Sequence, residues 1–218
     1  MKNATLMMCV VMTLAMTTVA PGNKLDVTTD SFFDAAAKGD LETVKAFISN
    51  GANLNAKDPI GRTPLMHAAW KKQNEVIKIL LVNGADINTA NRSGMTALMY
   101  AARFGNTEGL QLIMEKGAEI NARNKVGLTA LMCAAWYGHT ETVKALLERG
   151  ADFSAVDEDG RIALFHAADG GDAPTVKILL EKGSNPNAKD KSGRTALTLA
   201  EMKGRTEVAE LLKRAVNN

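Results

Sequence analysis

Aromatic residues are scarce in this chain, so where the few of them sit carries information. Two Trp, two Tyr and six Phe are spread over 218 residues. Cysteine is scarcer still. Cys9 and Cys133 are the only two, and if Cys9 is removed with a leader no intramolecular disulfide can form, so the fold must stand on packing. An excess of one charge is also lacking. Lys plus Arg total 26 and Asp plus Glu 24, for a formal net charge of +2. That balance argues against a dedicated nucleic-acid binder, which would present a strongly basic face. No run of like charges marks a polybasic or acidic tail. Length allows a sizeable hydrophobic core in one or two units.

The N-terminal segment differs from the rest. Lys2 is its only charge before Lys24, and the apolar stretch Leu6 to Met16 has the length of a signal-peptide core. It is too short to cross a bilayer as a helix. Small residues follow, and a cut after Gly22, with Ala20 two residues before it, fits the small-x-small pattern. We read residues 1–22 as a signal peptide and 23–29 as a short linker. Met7 and Met8 before Cys9 do not suit a lipoprotein signal. The expectation is export to a periplasmic or secreted location, with a membrane-tethered protein held by an uncleaved N-terminus as the alternative.

The rest of the chain is periodic. Gly61, Gly94, Gly127, Gly160 and Gly193 are each 33 residues apart, as are Gly51, Gly84, Gly117, Gly150 and Gly183. A third series runs Gly39, Lys72, Gly105, Gly138, Gly171, Gly204. Each unit reads physically. Asp or Asn, two variable residues and Gly make a turn. Thr63, Thr96, Thr129 and Thr195 follow as helix N-caps, with Pro64 at a first helical position. A short L-x-x-A-A helix comes next, ended by the Gly39 series in the left-handed conformation. A second helix carries an apolar stripe such as Val143, Leu146 and Leu147. One such pair cannot bury its own apolar face, whereas stacked pairs can, which makes an all-α solenoid.

The frame resembles the ankyrin repeat. "DPIGRTPLMHAAWKKQNEVIKILLVNGADINTA" (58–90) is similar to the family pattern along nearly its whole length, and the resemblance covers about residues 30 to 216. It implies helix-turn-helix units with β-turn fingers and a concave face. The domains are then an N-terminal capping repeat (30–57), four repeats (58–90, 91–123, 124–156, 157–189) and a C-terminal capping repeat (190–218). Both ends read as caps, so a monomer is the default.

Several positions depart from the pattern. The family's usual histidine after T-P-L is Met66, Met99, Met132, Phe165 and Thr198 here, and packing is expected to replace its hydrogen bonds. Ile162 stands where Thr should cap, at a cost of about 1 kcal/mol. Gly109 falls inside a second helix, at a similar cost of about 1 kcal/mol. With Gly170-Gly171 and Pro174, unit 4 is the expected place for local opening or a bend.

No catalytic chemistry is legible. His67 and His166 share one unit position three repeats apart, roughly 25–30 Å at helix-packing distances, too far to share a metal. His139 reads as a structural loop residue. Cys133 reads as a buried, inert thiol without a basic partner. The aspartates belong to the turn series, and the glycines are spaced by the repeat rather than by a phosphate. No catalytic residue, cofactor or metal is expected.

What varies inside the frame points elsewhere. The two residues after Ala-Ala, which the resemblance directs toward the concave face, are Trp70-Lys71, Arg103-Phe104, Trp136-Tyr137 and Asp169-Gly170, with Glu201-Met202 read as the last pair. Finger positions add Ile60, Arg62, Met95, Arg123, Lys125 and Leu128. Trp, Tyr and Arg are the usual anchors of protein interfaces; the alternative is that the rings only cover neighbouring fingers. Glu158, Asp159, Asp169 and Glu201 make the far end of the face acidic. The reading is a non-enzymatic scaffold that binds another protein through its concave face. Its alternatives are an inhibitor or immunity-type regulator of a partner enzyme, or a secreted effector binding host proteins.

Overall fold

Four threonine hydroxyls set the beginnings of the inner helices. Thr63, Thr96, Thr129 and Thr195 hold extended backbones and accept from the amides of Met66, Met99, Met132 and Thr198. The chain is described by a computed structural model over residues 29–217. The signal-peptide reading of 1–22, the linker up to residue 28 and Cys9 lie outside the described residues. Those residues form twelve helices and no strand. The N-terminal pair is α1 (Thr29–Lys38) and α2 (Leu41–Ser49). Then follow α3 (Pro64–Trp70), α4 (Asn74–Val82), α5 (Ala97–Arg103), α6 (Thr107–Glu115), α7 (Ala130–Trp136) and α8 (Thr140–Glu148). The last four are α9 (Ala163–Gly170), α10 (Ala173–Glu181), α11 (Ala196–Met202) and α12 (Thr206–Asn217).

Odd-numbered helices contact one another in sequence and form an inner row; even-numbered helices do the same in an outer row. The Ala-Ala pairs explain the closeness of the inner row. Ala68, Ala69, Ala101, Ala102, Ala134, Ala135, Ala167 and Ala168 are all fully buried, and a methyl group keeps neighbouring backbones near. Larger groups fill the space between rows: Ile77 and Leu80 on α4, Leu110 and Ile113 on α6, Val143 and Leu146 on α8. Each such side chain contributes roughly 1.5–3 kcal/mol by leaving water.

Hydrogen bonds tie unit to unit at repeating positions. Gln73 donates to the carbonyl of Ala37 and Asn106 to that of Ala69, while His139 bonds the carbonyl of Arg103 and Arg205 donates to that of Asp169. This confirms His139 as a structural loop residue. On the finger side, the amides of Arg92, Lys125, Glu158 and Lys191 donate to the carbonyls of Ile60, Ser93, Val126 and Asp159. The fingers thus form one backbone ladder, and it is tight: a Cβ on Gly94 would stand 2.7 Å from the Lys125 amide nitrogen.

Three departures now have physical accounts. Ile162 caps α9 without any side-chain hydrogen bond, as its chemistry requires. Gly109 lies in the first turn of α6, where its amide donates to the Asn106 cap, and a Cβ there would stand 2.7 Å from Ile77 Cδ1. The Asn106 side chain that caps the helix stands closer still, so both the cap and α4 crowd the place a side chain would take. In unit 4, α9 runs one residue longer than the other short helices, to Gly170, whose bare Cα faces the Trp136 carbonyl so closely that any side chain would collide. Pro174 sits in the first turn of α10, capped by Asp172. Unit 4 shows a close backbone approach at the junction of α7 and α9.

Lys72 is the one non-glycine among the described residues with a positive φ, 59°, at the place where the other units carry glycine. Lys72→Gly should raise stability by about 1 kcal/mol by removing left-handed strain. Gly109→Ala should lower it despite the better helix former. Urea midpoints of both variants test the pair; a stabilised Gly109→Ala would contradict the packing account.

Candidate functional site

Each finger begins with an Asp or Asn whose Oδ1 closes the turn. In unit 1, Asp58 Oδ1 accepts from the amides of Ile60 at 3.0 Å and Arg62 at 2.8 Å. Asn91, Asn124, Asp157 and Asp190 accept from the amides two and four residues on in the same way. The second side-chain atom takes a histidine in units 1 and 4 and other partners in the rest. Asp58 Oδ2 takes Arg62 Nε at 2.7 Å and His67 Nε2 at 3.0 Å. Asp157 Oδ2 takes His166 Nε2 at 2.9 Å. Asn91 Nδ2 donates to the Tyr100 hydroxyl at 3.0 Å, and Asn124 Nδ2 reaches Met95 Sδ at 3.4 Å. Asp190 Oδ2 pairs with Arg194 at 2.9 Å. Packing does not simply replace histidine hydrogen bonds, as the sequence led us to expect. In units 1 and 4 a histidine stands one residue further along its helix and bonds the finger, whereas units 3 and 5 carry Cys133 and Leu199 there.

These groups titrate accordingly. Burial works to raise the Asp58 carboxyl, but the hydrogen bonds from Arg62, His67 and Ile60 overcome it and hold it at about 2. Burial lowers the His67 imidazole, against the pull of Asp58. Opposite an ionised carboxylate, Nε2 carries the proton and donates. Burial pushes the Cys133 thiol up to about 12, which leaves it without thiolate character at neutral pH.

The predicted contact residues fall into three groups. A stripe of rings and cations runs across the inner helices. Trp70 lies 5.9 Å from Phe104, Arg103 stands over both Phe104 and Tyr137, and Tyr137 lies 6.0 Å from Trp136. Trp136 in turn lies 5.6 Å from His166. Ile60, Lys71, Arg103, Lys125, Trp136 and Tyr137 are exposed, and Trp70, Phe104, Arg62 and Leu128 are half-buried. The remaining two serve the frame. Met95, expected on the surface, is buried and receives Asn124; its apolar side chain fills the space under the next finger. Arg123 is exposed but donates to the Val156 carbonyl of the next unit, as Lys57 does to Ala90. Glu201 also needs correction. The 33-residue register places Met202-Lys203 at the varied pair, and Glu201 pairs with Lys213 of α12 at 2.8 Å.

Beyond Trp136 the face opens into a cleft of about 300 Å³ between the fingers of units 3 and 4. Val126, Leu128 and Trp136 line one side, and Glu158, Asp159 and Asp169 the other. Among the described residues, no three His, Cys, Asp or Glu side chains gather as a metal site would require.

The family model for ankyrin repeats in three copies matches residues 32–124, 93–157 and 131–218. This chain belongs to the ankyrin repeat family. No curated protein matches it. Ankyrin repeats are generally protein–protein interaction modules. The histidine–aspartate pairs of this ankyrin array had a sequence signal that the glycine period hid. At residues nine apart, both histidines face an Asp, in units 1 and 4, while Asn goes with Tyr in unit 2 and with Cys in unit 3; unit 5 has Asp190 with Leu199, and there Arg194 takes the carboxylate instead.

The Asp58 carboxyl is held below its ordinary 3.8, so its contribution is present above that value and lost as pH falls through about 2. His67, held below 6.5, adds acid sensitivity in the same direction, because the unfolded chain takes up its proton first. Asp58→Asn should cost on the order of 2 kcal/mol at neutral pH, and the deficit should shrink strongly in acid. Urea midpoints at pH 7 and pH 2.5 measure it; an equal deficit at both would show that the carboxylate charge is not what stabilises the finger.

Proposed function

We propose that this ankyrin array is a non-enzymatic binding module that grips a partner protein with its concave face. The stripe from Trp70 to Trp136 carries this reading. Trp136 and Tyr137 are 42% and 48% exposed, at the ends of short helices where the repeat asks for no aromatic group. Rings on a rigid frame bind with little loss of side-chain freedom, which is why they recur as interface anchors. The non-enzymatic part of the reading rests on the histidines, each bonded to the frame, and on Cys133, buried within it. Export, through residues 1–22, and a monomeric state belong to the same proposal. No helix of the described residues is long and apolar enough to cross a membrane.

A pull-down from extract of the native cells tests the reading. A Trp70→Ala/Trp136→Ala variant, shown by circular dichroism to remain folded, serves beside the wild type. The wild type should retain a protein that the variant loses by tenfold or more. Equal retention by both would place the binding site off the stripe.

A further inference from the structure

The two tryptophans occupy the same place in their units, 66 residues apart, yet their surroundings are opposite. The Trp70 ring is already served by the chain's own cations: Lys71 Nζ stands 4.1 Å from its centroid and the Arg62 guanidinium 5.1 Å. In unit 3 the equivalents of Lys71 and Arg62 are Tyr137 and Leu128. Among the described residues, no Lys or Arg stands over the Trp136 ring. The ring faces the cleft instead, and the cleft is acidic. Asp157, Glu158, Asp159 and Asp169 line it against a single guanidinium, that of Arg161.

Most of that acid is accounted for. Asp157 is held by His166 and by finger amides. Asp159 lies 3.4 Å from Arg161, and Asp169 lies 3.3 Å from Lys203. Glu158 is exposed and forms no ion pair. It stands on the finger across from Trp136, next to the apolar surface of Val126, half of which is open to water. A partly exposed indole, an unpaired carboxylate and an apolar ledge are what a long cationic side chain needs, since its stem packs while its head stays charged. The volume, about 300 Å³, is at the small end of ligand pockets, which run from about 300 to 1,000 Å³. It suits one side chain rather than a larger molecule.

We propose that the cleft between units 3 and 4 receives an arginine or lysine side chain of the partner protein, placing on Trp136 the cation that unit 1 supplies to Trp70 from within. The residue beside that cation in the partner is apolar and lies against Val126 and Leu128. This rests on the concave-face reading and assigns the partner's chemistry at one point of it.

The test uses a displayed library of random twelve-residue peptides panned on the purified protein. Enriched peptides are then titrated by fluorescence in a Trp70→Phe background, where Trp136 is the remaining tryptophan. Enriched sequences should carry Arg or Lys next to an apolar residue. Their affinity should fall tenfold or more on Glu158→Gln/Asp169→Asn, and on replacing the peptide's arginine by citrulline. Tyr137→Lys, which puts an internal cation where unit 1 has Lys71, should compete with the peptide and weaken it at least fivefold. Enriched peptides that lack a cation, or that bind all variants alike, overturn the cleft assignment. The wider reading then survives only if those peptides are lost on Trp70→Ala/Trp136→Ala. A library that yields no binder overturns the cleft as a side-chain receptor, while a partner found by pull-down would still stand.

Discussion

One oxygen atom per unit organises the finger side of this protein. Oδ1 of Asp58, Asn91, Asn124, Asp157 or Asp190 accepts two amides and folds five residues into a turn. The turn aims the next backbone amide at the preceding finger, which produces the ladder, and sets the extended threonine that opens the inner helix. Either Asp or Asn satisfies Oδ1, so the frame leaves the second atom free to vary. That freedom is where the units become individual. A carboxylate recruits histidine or arginine, a carboxamide recruits tyrosine or a methionine sulfur. The core tolerates this because the choice is made at its edge, where the second atom of each of these side chains finds a partner within its own unit or the preceding one.

Much of the architecture was legible because it is periodic. Three glycine series, the threonine caps and the alanine pairs each encode one local constraint, and they agree on the same 33-residue unit. What escaped were features that depend on a neighbour in space. Gly109 looks like a weak helix position until the Asn106 cap and Ile77 of α4 are seen to crowd the place of its missing Cβ. Gly170 looks like a loosened helix end until the Trp136 carbonyl is found against it. Met95 and Arg123 hold finger positions like those of Ile60 and Lys125, but the adjacent unit turns them to structural use. Glu201 was misplaced for a simpler reason: the last unit has Ala-Glu where the others have Ala-Ala, and the varied pair lies one residue further on.

The candidate face shows the same division between frame and variation. Cations gather on the side of units 1 and 2, with Arg62, Lys71 and Arg103, each resting on a ring of the chain itself. Carboxylates gather on the side of unit 4, where the buried His166 ring holds Asp157 and the exposed Trp136 ring lies across the cleft. A net charge near zero therefore conceals a dipolar face, and the near neutrality that argues against nucleic acid says nothing against a partner of complementary polarity. Within this array the aromatic positions are graded by how far the chain satisfies them. Trp70 is half-buried and covered by two internal cations. Phe104 is half-buried beside one. Trp136 is exposed and has none. Binding energy concentrates where a large group is held rigid yet left without a partner, and by that criterion the third and fourth units, rather than the more basic first, are the end of the face with the most to gain from contact.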